Sequence, residues 1–129
     1  MTTRIVVSTG LVAIVVSFGT AACVLDEEPS SVTVDNPTLA LGAQVYGQHC
    51  ASCHGVDLRG TEKGPSHLSI VYEPNHHPDD AFRSAIANGV PQHHWTFGDM
   101  APIAGLSDEE VEAVIGFVRS EQQRLGFEQ

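Results

Sequence analysis

The run Cys50-Ala51-Ser52-Cys53-His54 limits this chain more than any other feature of it. Two thiols three positions apart project from a single helical turn, and a histidine follows directly. That spacing lets both sulfurs add to the vinyl groups of one porphyrin edge while the imidazole is carried under the iron. C-x-x-C-H is accordingly the attachment pattern of a c-type haem. Two other chemistries use parts of the same run. A thioredoxin-type pair wants a βαβ setting, and no stretch here alternates over the length of a strand. A zinc site wants a second ligand pair; His76/His77 or His93/His94 offer one, but there is no second cysteine pair.

Size makes a prosthetic group more than an ornament. The chain has 129 residues, which allows one domain at most. The folded unit expected over 37–127 is short enough that it needs a metal, a disulfide or a cofactor to complete its core. Three cysteines exclude an even disulfide framework and leave one with a separate job. Sixteen acidic residues against six basic ones give a formal charge of −10. A chain so poor in Lys and Arg cannot displace phosphate counterions, so nucleic acid is not an expected partner.

The third cysteine closes a different kind of segment. Arg4 is the only charge before Asp26, and an uncharged, mostly apolar stretch runs from Ile5 to Leu25. One positive charge, an apolar run and then small residues is the order of an export signal, expected over 1–22. The run Thr20-Ala21-Ala22-Cys23 resembles a bacterial lipobox, in which the cysteine is lipidated and becomes the new N-terminus; Thr20 stands where that pattern has a larger aliphatic residue. Simple cleavage after Ala22 and an uncleaved anchor helix are the alternatives. All three place the remainder outside the cytoplasm, with the membrane reached through a lipid or an anchor. Residues 23–36, with three consecutive acids and Pro29, read as an acidic flexible tether.

Three stretches have helical character. Asn36-Pro37 starts a helix running to about Cys50, with Leu39, Gly42, Val45, Tyr46 and Cys50 toward one side. A second starts near Pro78-Asp79-Asp80, keeps Ala81, Phe82, Ala85 and Ile86 on one face, and stops at Asn88-Gly89. The third opens on a capping box, Ser107 with Glu110, followed by Val111, Val114, Ile115 and Val118 at helical spacing. Gly- and Pro-rich loops lie between them. The expected fold is all-α with long loops, and loops of that length in so small a domain wrap or do something.

Taken in order, these features resemble a class I (mitochondrial-type) monohaem cytochrome c of the bacterial kind, over nearly the whole folded unit. Gly42 and Tyr46 stand before the haem motif as a small residue and an aromatic do in that family, and Phe117 stands where the family has an aromatic on its last helix. Gly55, Gly60 and Gly64-Pro65 with Leu68 are similar to its loop after the motif, and Ala85–Pro91 to its middle helix and stop. The resemblance implies three to four helices wrapped around one covalent haem c, held by Cys50 and Cys53. It also implies His54 as an axial ligand whose ring donates to the Pro65 carbonyl. It implies Met100 as the second axial ligand, because the family places its methionine between the middle and last helices. Here Ala101 follows that methionine where the family commonly has proline. His93 and His94 compete with Met100, since two imidazoles also make a sound axial pair.

The remaining side chains have plainer readings. Trp95 is either partly buried core or, as the resemblance implies, an indole near a haem propionate. Arg59 and Lys63 read as solvated loop charges, and His49, His67, His76 and His77 as ordinary loop or helix-surface residues. Asp108, Glu109 and Glu110 offset a helix dipole.

The expected function is that of an extracytoplasmic electron carrier rather than an enzyme. The alternatives are a haem c subunit of a membrane-bound oxidoreductase and a haem protein with an open iron for catalysis or gas binding. An acidic carrier is expected to meet redox proteins that present a basic docking surface. Because the haem supplies much of what the domain has to bury, the apoprotein is expected to be largely unfolded. Circular dichroism of a Cys50→Ala/Cys53→Ala protein should show most of the helix signal lost; a full native signal would contradict this.

Overall fold

The computed structural model of the chain describes residues 36–129. The expected export signal, Cys23 and the tether as far as residue 35 lie outside the described residues. Four α-helices and one 3-10 turn follow in order: α1 (Pro37–His49), α2 (Ala51–His54), the turn Ile70–Tyr72, α3 (Asp79–Asn88) and α4 (Asp108–Leu125). Among the described residues there are no strands, only isolated bridges between loop residues. The all-α architecture is the one the sequence implies. No described helix is long and apolar enough to cross a membrane.

Each helix begins where its local chemistry dictates. The Asn36 carboxamide accepts from the Thr38 N–H at 3.0 Å, and Pro37 occupies the first turn, where its missing N–H costs nothing. At α4 the Ser107 hydroxyl accepts from the Glu110 N–H while the Glu110 carboxylate accepts from the Ser107 N–H at 2.8 Å, completing the capping box. Two details differ from the periodicity. The first helix ends at His49 with Cys50 as its cap, where the sequence puts its end, but the haem motif then forms a separate short helix, α2, that the periodicity does not mark. The second detail is the single turn at Ile70–Tyr72, where the Ser69 side chain accepts from the Val71 N–H. Three residues are too few for any periodic signal.

α1 and α4 make the principal contact. Val45, Tyr46, Val114, Ile115 and Val118 are buried between them, joined by Leu58 and Leu68 from the loop and Ile86 from α3. The helices approach closely at Gly42, where an added Cβ would stand 2.1 Å from the Ala113 carbonyl oxygen and 2.7 Å from the Phe117 Cβ. Neither of those atoms can swing aside. Phe117 and Tyr46 then pack across the crossing with ring centroids 5.5 Å apart. The C-terminus is stitched back to the loop by Glu128, whose N–H donates to the Leu68 carbonyl at 2.6 Å and whose carbonyl accepts from the Ile70 N–H at 2.8 Å.

Gly42→Ala should therefore push the two helices apart at their tightest point. The expected loss is about 1–3 kcal/mol of unfolding free energy, typical of overpacking in a close-packed core. Guanidinium titration of the purified protein measures it, and an unchanged midpoint would contradict the crossing described.

Candidate functional site

The last two carbonyls of the Cys-Ala-Ser-Cys-His run are tied down by the loop that follows it. Thr61 donates its hydroxyl to the Cys53 carbonyl at 2.7 Å, and the Gly60 N–H donates to the His54 carbonyl at 2.8 Å. From α1 the Tyr46 hydroxyl donates to the Gly55 carbonyl at 3.0 Å. Burial raises the Tyr46 phenol far above its ordinary range, so it stays a donor. α2 is thus a single turn held from two sides, by the loop and by α1. It is too short to be stable alone, and tertiary bonds keep its side chains in place.

Two thiols and one imidazole emerge from this turn. Cys50 and Cys53 are free and half-buried. Burial, with Cys53 adding to it, pushes the Cys50 thiol up to about 11. That is the reverse of a redox-active C-x-x-C, whose nucleophilic thiol is lowered, and it disfavours disulfide exchange as the chemistry of this pair. The His54 Nδ1 lies 2.9 Å from the Pro65 carbonyl oxygen. A carbonyl can only accept, so Nδ1 carries the proton and Nε2 keeps its lone pair for a metal. Burial also lowers the His54 pKa, partly offset by the Pro65 bond, which favours the neutral imidazole that ligation requires.

These groups open into a cavity of about 700 Å³, within the range of about 300–1,000 Å³ that cofactor sites occupy. Cys50, Cys53 and His54 line it, and so do Met100, Pro65 and Trp95. Met100 is presented by the loop between α3 and α4. Its N–H and carbonyl pair with those of Val90 at 2.9 Å in both directions, just past the end of α3. This pairing needs Gly89, which takes φ +72° and whose added Cβ would stand 2.4 Å from the Met100 carbonyl oxygen. Trp95 stacks on Tyr72 with ring centroids 5.7 Å apart. The donor set suits a covalent haem: two thiols, a lone-pair imidazole and a thioether face one largely apolar cavity. Of the competing ligands, His93 and His94 also line the cavity, but both are exposed. Lys63 lines it from an exposed position, whereas Arg59 pairs with Glu128 at 3.1 Å.

One residue read as surface is not. His67 is buried, and its ring stacks on His54 with centroids 4.0 Å apart. Its backbone is held at both ends, the N–H donating to the Leu58 carbonyl at 2.8 Å and the carbonyl accepting from the Gln122 amide at 2.7 Å. A histidine between Ser66 and Leu68 in a loop carries no periodic mark of burial. Only the fold of that loop beneath α4 takes it inside. Its Nδ1 has no hydrogen-bond partner, and burial, then His54 and Arg119, push its pKa well below the usual histidine range. His67→Leu removes an unsatisfied polar atom, so it should raise unfolding free energy by about 1 kcal/mol. Below about pH 6.5 the unfolded chain takes up a proton that the buried ring refuses. The penalty the imidazole imposes is therefore smallest above that pH and grows as pH falls. Denaturant titrations from pH 8 to pH 5 should show the wild type losing more stability than the leucine variant; parallel losses would contradict the buried neutral ring.

Comparison with known proteins agrees with the residues assembled here. A search of curated proteins and one of solved structures find no match. The sequence model of the family described as cytochrome c does match, over residues 39–122, from the first turn of α1 to near the end of α4. That span takes in both thiols and the cavity they face, so the attachment of haem c through Cys50 and Cys53 follows from membership as well as from spacing: this chain belongs to the cytochrome c family, whose members transfer electrons through a covalently bound haem.

Proposed function

We propose that this cytochrome c is an extracytoplasmic electron carrier of the class I, monohaem, bacterial type, with its iron held between His54 and Met100. The observation that supports the ligand pair is that His54, with Nε2 free, and Met100, the sole methionine after Met1, reach the same cavity as both cysteines. The bound haem supplies a one-electron couple. The protein's part is to hold and shield it. Pro65 fixes the His54 tautomer, and the Val90 bridge fixes the backbone of Met100. With both axial positions taken there is no vacancy for a substrate, which favours a carrier over an enzyme. Thioether ligation favours the ferrous state and raises the potential relative to two imidazoles.

Location and partners follow from charge and from the N-terminal run. The export-type segment and Cys23 support release or lipid anchoring on the outer face of the membrane. Tethering there keeps the carrier at high effective concentration, so weak docking suffices. The formal charge of −10 suits partners with a basic face, met through small, short-lived contacts.

Absorption spectroscopy tests the ligand pair. The ferric protein should show the weak band of methionine ligation, and Met100→Ala should abolish it, lower the potential and let the reduced protein bind carbon monoxide. If His93→Ala or His94→Ala does this instead, the assignment of Met100 fails.

A further inference from the structure

Two histidine pairs, His76-His77 and His93-His94, stand 17 residues apart in the sequence and come together beside the cavity, which His77, His93 and His94 line while His76 packs on His94. The structure builds this meeting deliberately on both sides. On the first loop, the N–H groups of His76 and His77 both donate to the Glu73 carbonyl, at 3.0 and 2.8 Å, forming a tight turn. Arg119 reaches from α4 to donate to the carbonyls of Tyr72 and His77, and its Nε donates to Asp79 at 2.8 Å. On the second loop, Gln92 takes the Gly98 N–H on its side chain at 2.8 Å and gives its own N–H to Asp99 at 2.9 Å. The stack of Trp95 on Tyr72 locks one loop to the other.

The imidazoles so placed have the geometry of ligands. One ligand atom from each of His76, His77 and His94 lies within 4.8 Å of the others. His76 Nε2 and His94 Nε2 are 3.2 Å apart. Metal–nitrogen bonds of about 2.0–2.1 Å in a tetrahedron put neighbouring ligand atoms about 3.3–3.4 Å apart, so an ion could replace the proton this pair shares with little movement of either ring. His77 is set as ligating histidines are: its Nδ1 donates to the Val71 carbonyl at 2.7 Å, which leaves Nε2 with the lone pair.

The geometry points to a metal site separate from the haem iron, in which His76, His77 and His94 bind one divalent transition-metal ion of the zinc or copper kind. Three imidazoles with no carboxylate among them exclude magnesium and calcium and suit zinc and copper ions. The fourth position is left to water or to His93, whose ring is 4.3 Å from that of His94 and whose Nδ1 donates to the Pro91 carbonyl. A bound ion adds a coordinate link between two loops that meet through the Trp95–Tyr72 stack and the facing imidazoles, and it sets two positive charges at the cavity mouth of an acidic chain.

The test uses the haem-loaded protein, stripped with a chelator and titrated calorimetrically with zinc chloride. In parallel, one equivalent of copper(II) is followed by electron paramagnetic resonance. One zinc per chain is expected, with a raised melting temperature, and the copper signal should show nitrogen ligation. His76→Ala and His94→Ala should each weaken zinc binding at least tenfold without altering the haem spectrum, while His49→Ala leaves both unchanged. His76→Gln, at an exposed position, provides a second variant should an alanine variant fail to fold. Absence of saturable binding, or binding equal in the histidine variants, would overturn the site. A changed axial spectrum in His94→Ala would also overturn it, because that imidazole would then belong to the haem iron.

Discussion

A missing side chain governs how this molecule is put together. At Gly42 the backbone of α1 touches that of α4, with no room even for a methyl group beside the Ala113 carbonyl. That contact places Tyr46 next to Phe117, and it points the C-terminal end of α1 at the loop that must receive the haem motif. α2 then needs no stability of its own. Tyr46 holds it from behind, and Gly60 and Thr61 hold its carbonyls from the front. A four-residue helix carrying Cys53 and His54, with Cys50 as its N-cap, is thereby positioned by one helix crossing and a handful of hydrogen bonds.

The cavity is the complement of that arrangement. The protein's own core is a thin layer of small and medium side chains, Val45, Val114, Ile115 and Val118 with Leu58, Leu68 and Ile86. Apolar surface beyond this layer faces inward onto the space reserved for the prosthetic group. A chain of this size buries too little by itself to offset its conformational entropy, and a covalent planar group supplies the deficit. Covalent attachment and folding are in this sense one design problem, and the thiols solve both parts.

Polar groups around the cavity are sorted by what each can satisfy. The His54 ring has its proton committed to Pro65. His67 is the exception, an imidazole stacked on the motif histidine with one nitrogen unpaired. Replacing a polar ring by an apolar one of similar bulk is an easy change for evolution to make, so its presence costs stability that something else must offset. Arg119 shows the opposite economy: one guanidinium at the surface of α4 satisfies two loop carbonyls and an aspartate, and lies 4.8 Å over the Phe82 ring.

Local chemistry was enough to read the helices and the attachment site. Capping side chains, a proline in the first turn, a glycine stop and the 3.6-residue period act within a few positions, and C-x-x-C-H does too, so Pro37, Asp79 and Asp108 could be found as helix starts in the sequence. The separate short helix α2, the turn at Ile70–Tyr72 and the burial of His67 could not. Each depends on bonds between residues distant in the chain: Gln122 to His67, Glu128 to Leu68 and Ile70, Gly60 to His54. The same holds for the two histidine pairs, which the sequence shows as separate surface dipeptides. What brings His76 Nε2 within 3.2 Å of His94 Nε2 is the docking of Trp95 on Tyr72 and the reach of Arg119 from α4. Periodicity carries no record of such contacts, because a loop side chain's surroundings are set by whichever distant segment folds over it.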